Sequence, residues 1–210
     1  MEMKKSVFTW VALLFMFVSV QAQTAQEWMD KLSHTYQNIP TYYIQFDLTE
    51  TGNSSAHKGE IFAAKDRYSL DVMDIKQMYD GKTLYTVSKE DKEVTISHPT
   101  PDSDDLLTPT KVLKMYKNGF KLDLGKSETV QGEKIQFVKL TPTANSELAF
   151  VQVGIKTKSN TLYSYKETYK NGDSRTLTVK EYLENLIIPR ALFEFDQSKY
   201  EKDGYVVTSI

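Results

Sequence analysis

Between residues 42 and 97 turn residues cut the chain into short runs of alternating character, and that pattern leaves few folds open. Tyr42, Ile44, Phe46 and Leu48 alternate with Tyr43, Gln45, Asp47 and Thr49, as in a strand with one apolar face. Gly52-Asn53-Ser54-Ser55 reads as a loop, residues 59–64 as the return strand, and Tyr68, Leu70 and Val72 alternate again. Met78 leads into Asp80-Gly81, and residues 84–88 lead out. Asp-Gly is a strong hairpin signal, because glycine takes the positive φ that a tight primed turn requires. Lys89-Glu90-Asp91 is a polar turn before Val94 and Ile96. Short strands at this spacing predict an antiparallel meander.

The flanking segments extend the pattern. Thr24-Ala25-Gln26-Glu27 is a capping box, and Ala25, Trp28, Met29, Leu32 and Tyr36 follow at helical spacing up to Pro40. Thr108-Pro109 reads as the start of a second helix, with Val112, Leu113, Met115 and Tyr116 on a broad apolar face and Asn118-Gly119 as its stop. Strands are expected at residues 120–124, 134–140, 150–156, 162–170 and 174–183, the last two flanking Asn171-Gly172. Leu192-Phe193-Glu194-Phe195 is strand-like, and Tyr205-Val206-Val207 adds a further candidate. One twisted sheet of so many strands tends to curl. The expected fold is therefore mainly β within the α+β class: an unclosed antiparallel half-barrel with helices covering a hydrophobic cavity.

The N-terminus reads as a secretory signal peptide, with Lys4 and Lys5 before an apolar run of 14 residues at 7–20 and a small-x-small site ending at Ala22. Residues 1–22 are expected to be cleaved, leaving a single soluble domain over 23–210, exported to the periplasm. Cysteine is absent, so no disulfide framework and no cysteine-linked lipid is possible. The 26 basic and 28 acidic residues are mixed along the chain, net charge −2, which argues against nucleic acid as a partner. The 13 Tyr and 10 Phe favour strands and a large apolar surface.

Catalytic signals are weak. His34, His57 and His98 fall on a helix, a loop and a strand end, with no metal-ligand spacing and no H-E-x-x-H. No serine lies in a G-x-S-x-G elbow. Asp102, Asp104 and Asp105 lack the EF-hand spacing and read as a solvated loop. Asn53-Ser54-Ser55 fits a glycosylation sequon, a match of low specificity. The reading is a non-enzyme with no cofactor and no metal. The two apolar helix faces read either as ordinary core or as a movable lid over an apolar cavity.

In order, Gly59-Glu60-Ile61-Phe62, Lys65-Asp66-Arg67-Tyr68, Asp80-Gly81-Lys82-Thr83-Leu84-Tyr85, Leu107-Thr108-Pro109 and Leu140-Thr141-Pro142 resemble the periplasmic outer-membrane lipoprotein carrier family, LolA. The resemblance covers nearly the whole chain after residue 22, and the D-G-K-T-L-Y segment is its most specific piece. It implies a monomeric carrier whose cavity takes the acyl chains of lipoproteins. Such a carrier receives its cargo from an inner-membrane lipoprotein-releasing ABC transporter complex and delivers it to the outer membrane, in some species to an acceptor. The acceptor of that pathway is itself a lipoprotein and needs a cysteine, which places this chain on the carrier side. The acyl cavity and lid would draw on Trp28, Leu32, Ile44, Phe46, Leu48, Phe62, Leu70, Val112, Leu113 and Tyr116. In the family an arginine before a proline controls lid closure. Here Lys65 is followed by Asp66 and then Arg67, so either Lys65 or Arg67 takes that place, and lysine lacks the planar fork of arginine. The rival readings are a lipid- or lipoprotein-sensing regulatory module, or a carrier of another apolar molecule, on the same fold.

Overall fold

The computed structural model describes residues 23–53, 55–100 and 115–210. The expected signal peptide, most of the expected second helix with Val112 and Leu113, the aspartate run and Ser54 of the sequon lie outside them.

The chain opens with α1 (Ala25–Asn38), capped as its sequence requires. The Thr24 hydroxyl accepts from the Glu27 amide, and the Glu27 carboxylate accepts from the Thr24 amide, so two otherwise unpaired donors are satisfied. Ile39 breaks the helix in an extended conformation before Pro40. Six strands follow: β1 (Thr41–Glu50), β2 (His57–Ala64), β3 (Arg67–Val72), β4 (Ile75–Tyr79), β5 (Leu84–Ser88) and β6 (Glu93–Ser97). After a 3₁₀ turn, Met115–Lys117, come β7 (Phe120–Val130), β8 (Glu133–Pro142), β9 (Leu148–Lys156), β10 (Thr161–Tyr169) and β11 (Ser174–Glu184). A 3₁₀ turn at Arg190–Phe193, a short helix α2 (Gln197–Lys202) and β12 (Val206–Ser209) finish the chain.

All twelve strands belong to one sheet, in the order β12-β6-β5-β4-β3-β2-β1-β11-β10-β9-β8-β7. Neighbours are antiparallel except β12, which lies parallel to β6. Among the described residues the end strands do not pair with each other, so the sheet is open, as expected. Long-range closure falls to one pair: β1 meets β11 along most of its length, joining the two meanders.

Two expectations need correction. Leu192-Phe193-Glu194-Phe195 is not a strand. Pro189 fixes φ at −58°, and the Leu192 amide bonds back to the Pro189 carbonyl, which winds the segment into a 3₁₀ turn and buries Phe193. Asp80-Gly81 is not a two-residue primed turn. The loop holds four residues between Tyr79 and Leu84, and only Gly81 within it takes positive φ, +101°. The Asp80 carboxylate organises it by accepting from the amides of Lys82 and Thr83.

The sheet is dressed on both faces. On the inner face α1 packs against β7, β8 and β10, and the main core gathers Met29, Leu32, Tyr36, Tyr42, Ile44, Phe46, and residues of β8, β9 and β11. On the outer face the C-terminal segment covers Met78, Val87 and Val94 with Phe195, Tyr200, Tyr205 and Val207. The rings of Tyr85, Phe195 and Tyr200 stack at 4.7 and 5.1 Å.

Gly59 shows why the Gly59-Glu60-Ile61-Phe62 segment needs its glycine. It stands opposite Phe46, whose ring lies across it; a Cβ there would meet the ring carbon Cζ at 2.3 Å. Gly59→Ala is expected to lower stability by about 1–3 kcal/mol in urea denaturation, the usual cost of overpacking. Phe46→Leu in the same chain should recover part of that loss, because it removes the opposing ring.

Candidate functional site

The inner face is built from cross-strand rows, and register fixes their membership. Leu48 stands opposite Leu177, Leu177 opposite Tyr165, Tyr165 opposite Val153, and Val153 opposite Val138. One row further along, Glu50 stands opposite Arg175, Arg175 opposite Glu167, and Glu167 opposite Val151. Alternation therefore gives the face an apolar floor that turns polar at one end, on β1, β11 and β10.

α1 is the cover of this floor. Leu32 is fully buried, and Met29 and Tyr36 almost so. Each such side chain contributes roughly 1.5–3 kcal/mol of apolar burial. Tyr36 fastens the C-terminal end of the helix. Its ring meets Tyr42 and Tyr182 edge-on at 5.1 and 5.6 Å, and its hydroxyl accepts from the Leu162 amide at 3.3 Å. Tyr116 fastens the helix from the other side, its hydroxyl donating to the Asp30 carboxylate.

Of the residues expected at an acyl site, Leu32, Ile44, Phe46 and Tyr116 are buried in this inner core, with Trp28, Leu48 and Leu70 half-buried against it. Phe62 faces away from α1; its ring packs on Tyr43 at 4.7 Å on the outer face. Arg67 also points outward, its guanidinium 5.1 Å from the Phe193 ring centroid in the C-terminal cover. Lys65 is exposed in the β2–β3 turn at φ +57°, its amide bonded to the Pro40 carbonyl. The structure thus separates Phe62, Lys65 and Arg67 from the inner core. Sequence reasoning assigned no site residue to β7–β11, although Val138, Val151, Val153, Leu177 and Tyr165 form much of the floor. The alternation of Val151, Val153 and Ile155 was the available signal.

Two of the depressions on the surface are lined by residues of mainly polar type. One, of about 430 Å³, lies beside α1 and is lined by Asp30, Lys31, His34, Tyr116 and Asn160 among others. The second, of about 330 Å³, is lined by Glu50, Tyr169, Asp173 and Arg175 among others, at the polar end of the floor. Among the described residues no group of three or more His, Cys, Asp or Glu side chains is placed to hold a metal ion. Among the described residues, too, no helix is long and apolar enough to cross a membrane.

Burial pushes the phenols of Tyr36, Tyr68, Tyr116, Tyr165 and Tyr182 well above their ordinary value of 10.0. Neighbouring carboxylates add to the effect at Tyr36, Tyr116, Tyr165 and Tyr182. Below about pH 10 these phenols are protonated in both folded and unfolded chains, and stability is fully present. Above it the unfolded chain loses protons that the folded chain keeps, so stability falls as pH rises. The urea midpoint should hold from pH 7 to about 9.5 and then drop, with the tyrosinate absorbance of these five phenols appearing only together with unfolding. Tyr36→Phe should cost about 1–3 kcal/mol by leaving the Leu162 amide without its acceptor.

The family model described as "Outer membrane lipoprotein carrier protein LolA" matches residues 15–159. No curated protein sequence matches the chain significantly. Among solved structures, an uncharacterized conserved protein from Thermus thermophilus superposes with a TM-score of 0.62 at 10% identity, covering 90% of this chain and 100% of the other. The complex of MucA and MucB from Pseudomonas aeruginosa matches at TM-score 0.50 and 13% identity, over 82% of this chain and 61% of the other. MucB on its own gives TM-score 0.51 at 14% identity, over 82% and 63%. The chain thus spans less than two thirds of the MucB length, and at these identities the likeness is one of fold.

Proposed function

The chain belongs to the outer membrane lipoprotein carrier protein LolA family, and on that premise we propose that it is a periplasmic carrier that shields the acyl chains of lipoproteins on the inner face of its sheet. The observation that carries this reading is a broad apolar floor covered, among the described residues, by one amphipathic helix. Acyl chains in water cost about 0.8 kcal/mol per methylene, and a floor of aliphatic and aromatic side chains removes that cost.

The cover suits exchange. α1 is held to the sheet by side-chain packing and a few hydrogen bonds, chiefly those of Tyr36 and Tyr116, and not by strand pairing. Cargo that binds the uncovered floor more strongly than α1 does shifts the helix away, and release restores the covered state. In this reading Trp28, Leu32, Ile44, Phe46, Leu48, Leu70 and Tyr116 contact acyl chains or close over them, and Val112 and Leu113 join them from outside the described residues. The lid-control role expected at Lys65 or Arg67 gains no support from geometry, since neither side chain approaches the floor. The chain would act as a monomer, load at an inner-membrane ABC transporter complex and unload at the outer membrane, without chemistry on the cargo.

A second reading is favoured by one observation. The matched MucB structure was solved as a complex with another protein, MucA. On this reading the same fold senses lipid or lipoprotein and regulates a protein partner.

Trp28 is a built-in probe, being the single tryptophan of residues 23–210. Titrating the 23–210 chain with a triacylated cysteinyl peptide is expected to shift Trp28 emission saturably at one peptide per chain, with Trp28→Phe losing the signal. Absence of both an emission change and calorimetric binding would contradict the carrier reading. Tight binding of a protein partner that ignores acylation would favour the second.

A further inference from the structure

We propose that the polar end of the inner floor is a head-group subsite that selects acylated peptides over fatty acids and anionic phospholipids. The inference rests on the carrier reading and adds to it a source of specificity.

The subsite is the row beyond Leu48 and Leu177. Glu50 and Arg175 face each other across β1 and β11, joined by a 2.7 Å bond from the Arg175 Nε to the Glu50 carboxylate. Next on β10 stands Glu167, whose two oxygens each accept a phenol: Tyr165 at 3.3 Å and Tyr169 at 2.8 Å. Glu50, Arg175 and Tyr169 border the depression of about 330 Å³, where Asp173 adds another carboxylate, and Glu167 reaches it through its bond from Tyr169. Tyr165 spans the boundary, since its ring belongs to the apolar floor and its hydroxyl reaches Glu167. A ligand with its tail on the Leu48–Leu177–Tyr165 row thus has its head beside Glu50, Arg175 and Glu167.

The charge balance decides which head fits. Glu50, Glu167 and Asp173 set three carboxylates against one guanidinium, and that guanidinium is already paired. Lys170, a cation of the adjoining β10–β11 loop, does not line the depression and donates instead to Asn145. A fatty-acid carboxylate or a phosphatidyl phosphate arriving here meets like charge, which is an effective way to reject a wrong ligand. The amide and ester groups next to an acylated residue are neutral. Their carbonyls can accept from the remaining guanidinium N–H groups of Arg175, and their N–H groups can donate to Glu50. The peptide end of an acylated chain therefore satisfies the row, and an anionic lipid head does not.

The test is a competition read by Trp28 emission, using a triacylated cysteinyl peptide with uncharged following residues, palmitate, and phosphatidylglycerol. Wild type is expected to prefer the peptide by at least about tenfold, with the preference shrinking as salt rises. Glu50→Gln with Glu167→Gln should shrink the preference at least about tenfold, raising affinity for palmitate and phosphatidylglycerol while weakening that for the peptide, whose N–H groups lose a charged acceptor. Circular dichroism and the urea midpoint check that the variant is folded, and Asp173→Asn gives a milder variant on the loop. Equal wild-type affinity for all three probes, or an unchanged preference in the folded variants, overturns the subsite while the carrier reading stands. Failure of wild type to bind any probe overturns both.

Discussion

A single sheet of twelve strands has two faces to keep from water, and the rest of this structure follows from how each is covered. Among the described residues its end strands stay unpaired with each other, and each face has its own cover. The inner face takes α1 and the outer face takes the C-terminal segment. The covers differ in how they are held. The C-terminal segment ends in β12, whose backbone bonds to β6 tie it into the sheet. α1 has no such ladder and depends on packing, with Tyr36 and Tyr116 as its polar fasteners. A cover held by packing can be exchanged for another apolar body, whereas one held by a ladder resists exchange. On the proposed carrier reading, that difference favours the face under α1 as the one that receives cargo and the C-terminal segment as a structural cover.

Gly59 and Phe46 show how the floor is kept level. The Phe46 ring lies across the neighbouring strand at Gly59, and only a residue without Cβ permits it. Further along the same face, alternation carries the polar row Glu50–Arg175–Glu167. One face thus provides a greasy bed and a charged rim, the two parts an amphiphile requires.

Much of this is legible in the sequence where local physics dominates. The Thr24–Glu27 capping box sets the start of α1, and the alternation of Tyr42, Ile44, Phe46 and Leu48 identifies both the strand and its buried side. Legibility fails where a residue's partner is distant. Ile61 and Phe62 are adjacent and both apolar, and only the pairing of β2 with β1 sends Ile61 inward and Phe62 outward. Arg67 resembles a lid residue until Phe193, far along the chain, appears beneath it. Residues 192–195 read as strand-like, yet Pro189 just upstream starts a 3₁₀ turn over Arg190–Phe193 that takes in the first two of them. The β7–β11 half of the floor lacks any distinctive motif, so its contribution emerges only from register.

The central claim is that the face under α1, and not the opposite one, receives acyl chains. A photo-crosslinking amino acid at Leu48, on the floor, and separately at Tyr43, on the outer face, tests it in living cells. Capture of acylated protein is expected from position 48 and not from position 43. Equal capture from both positions, or capture at neither, would contradict the claim.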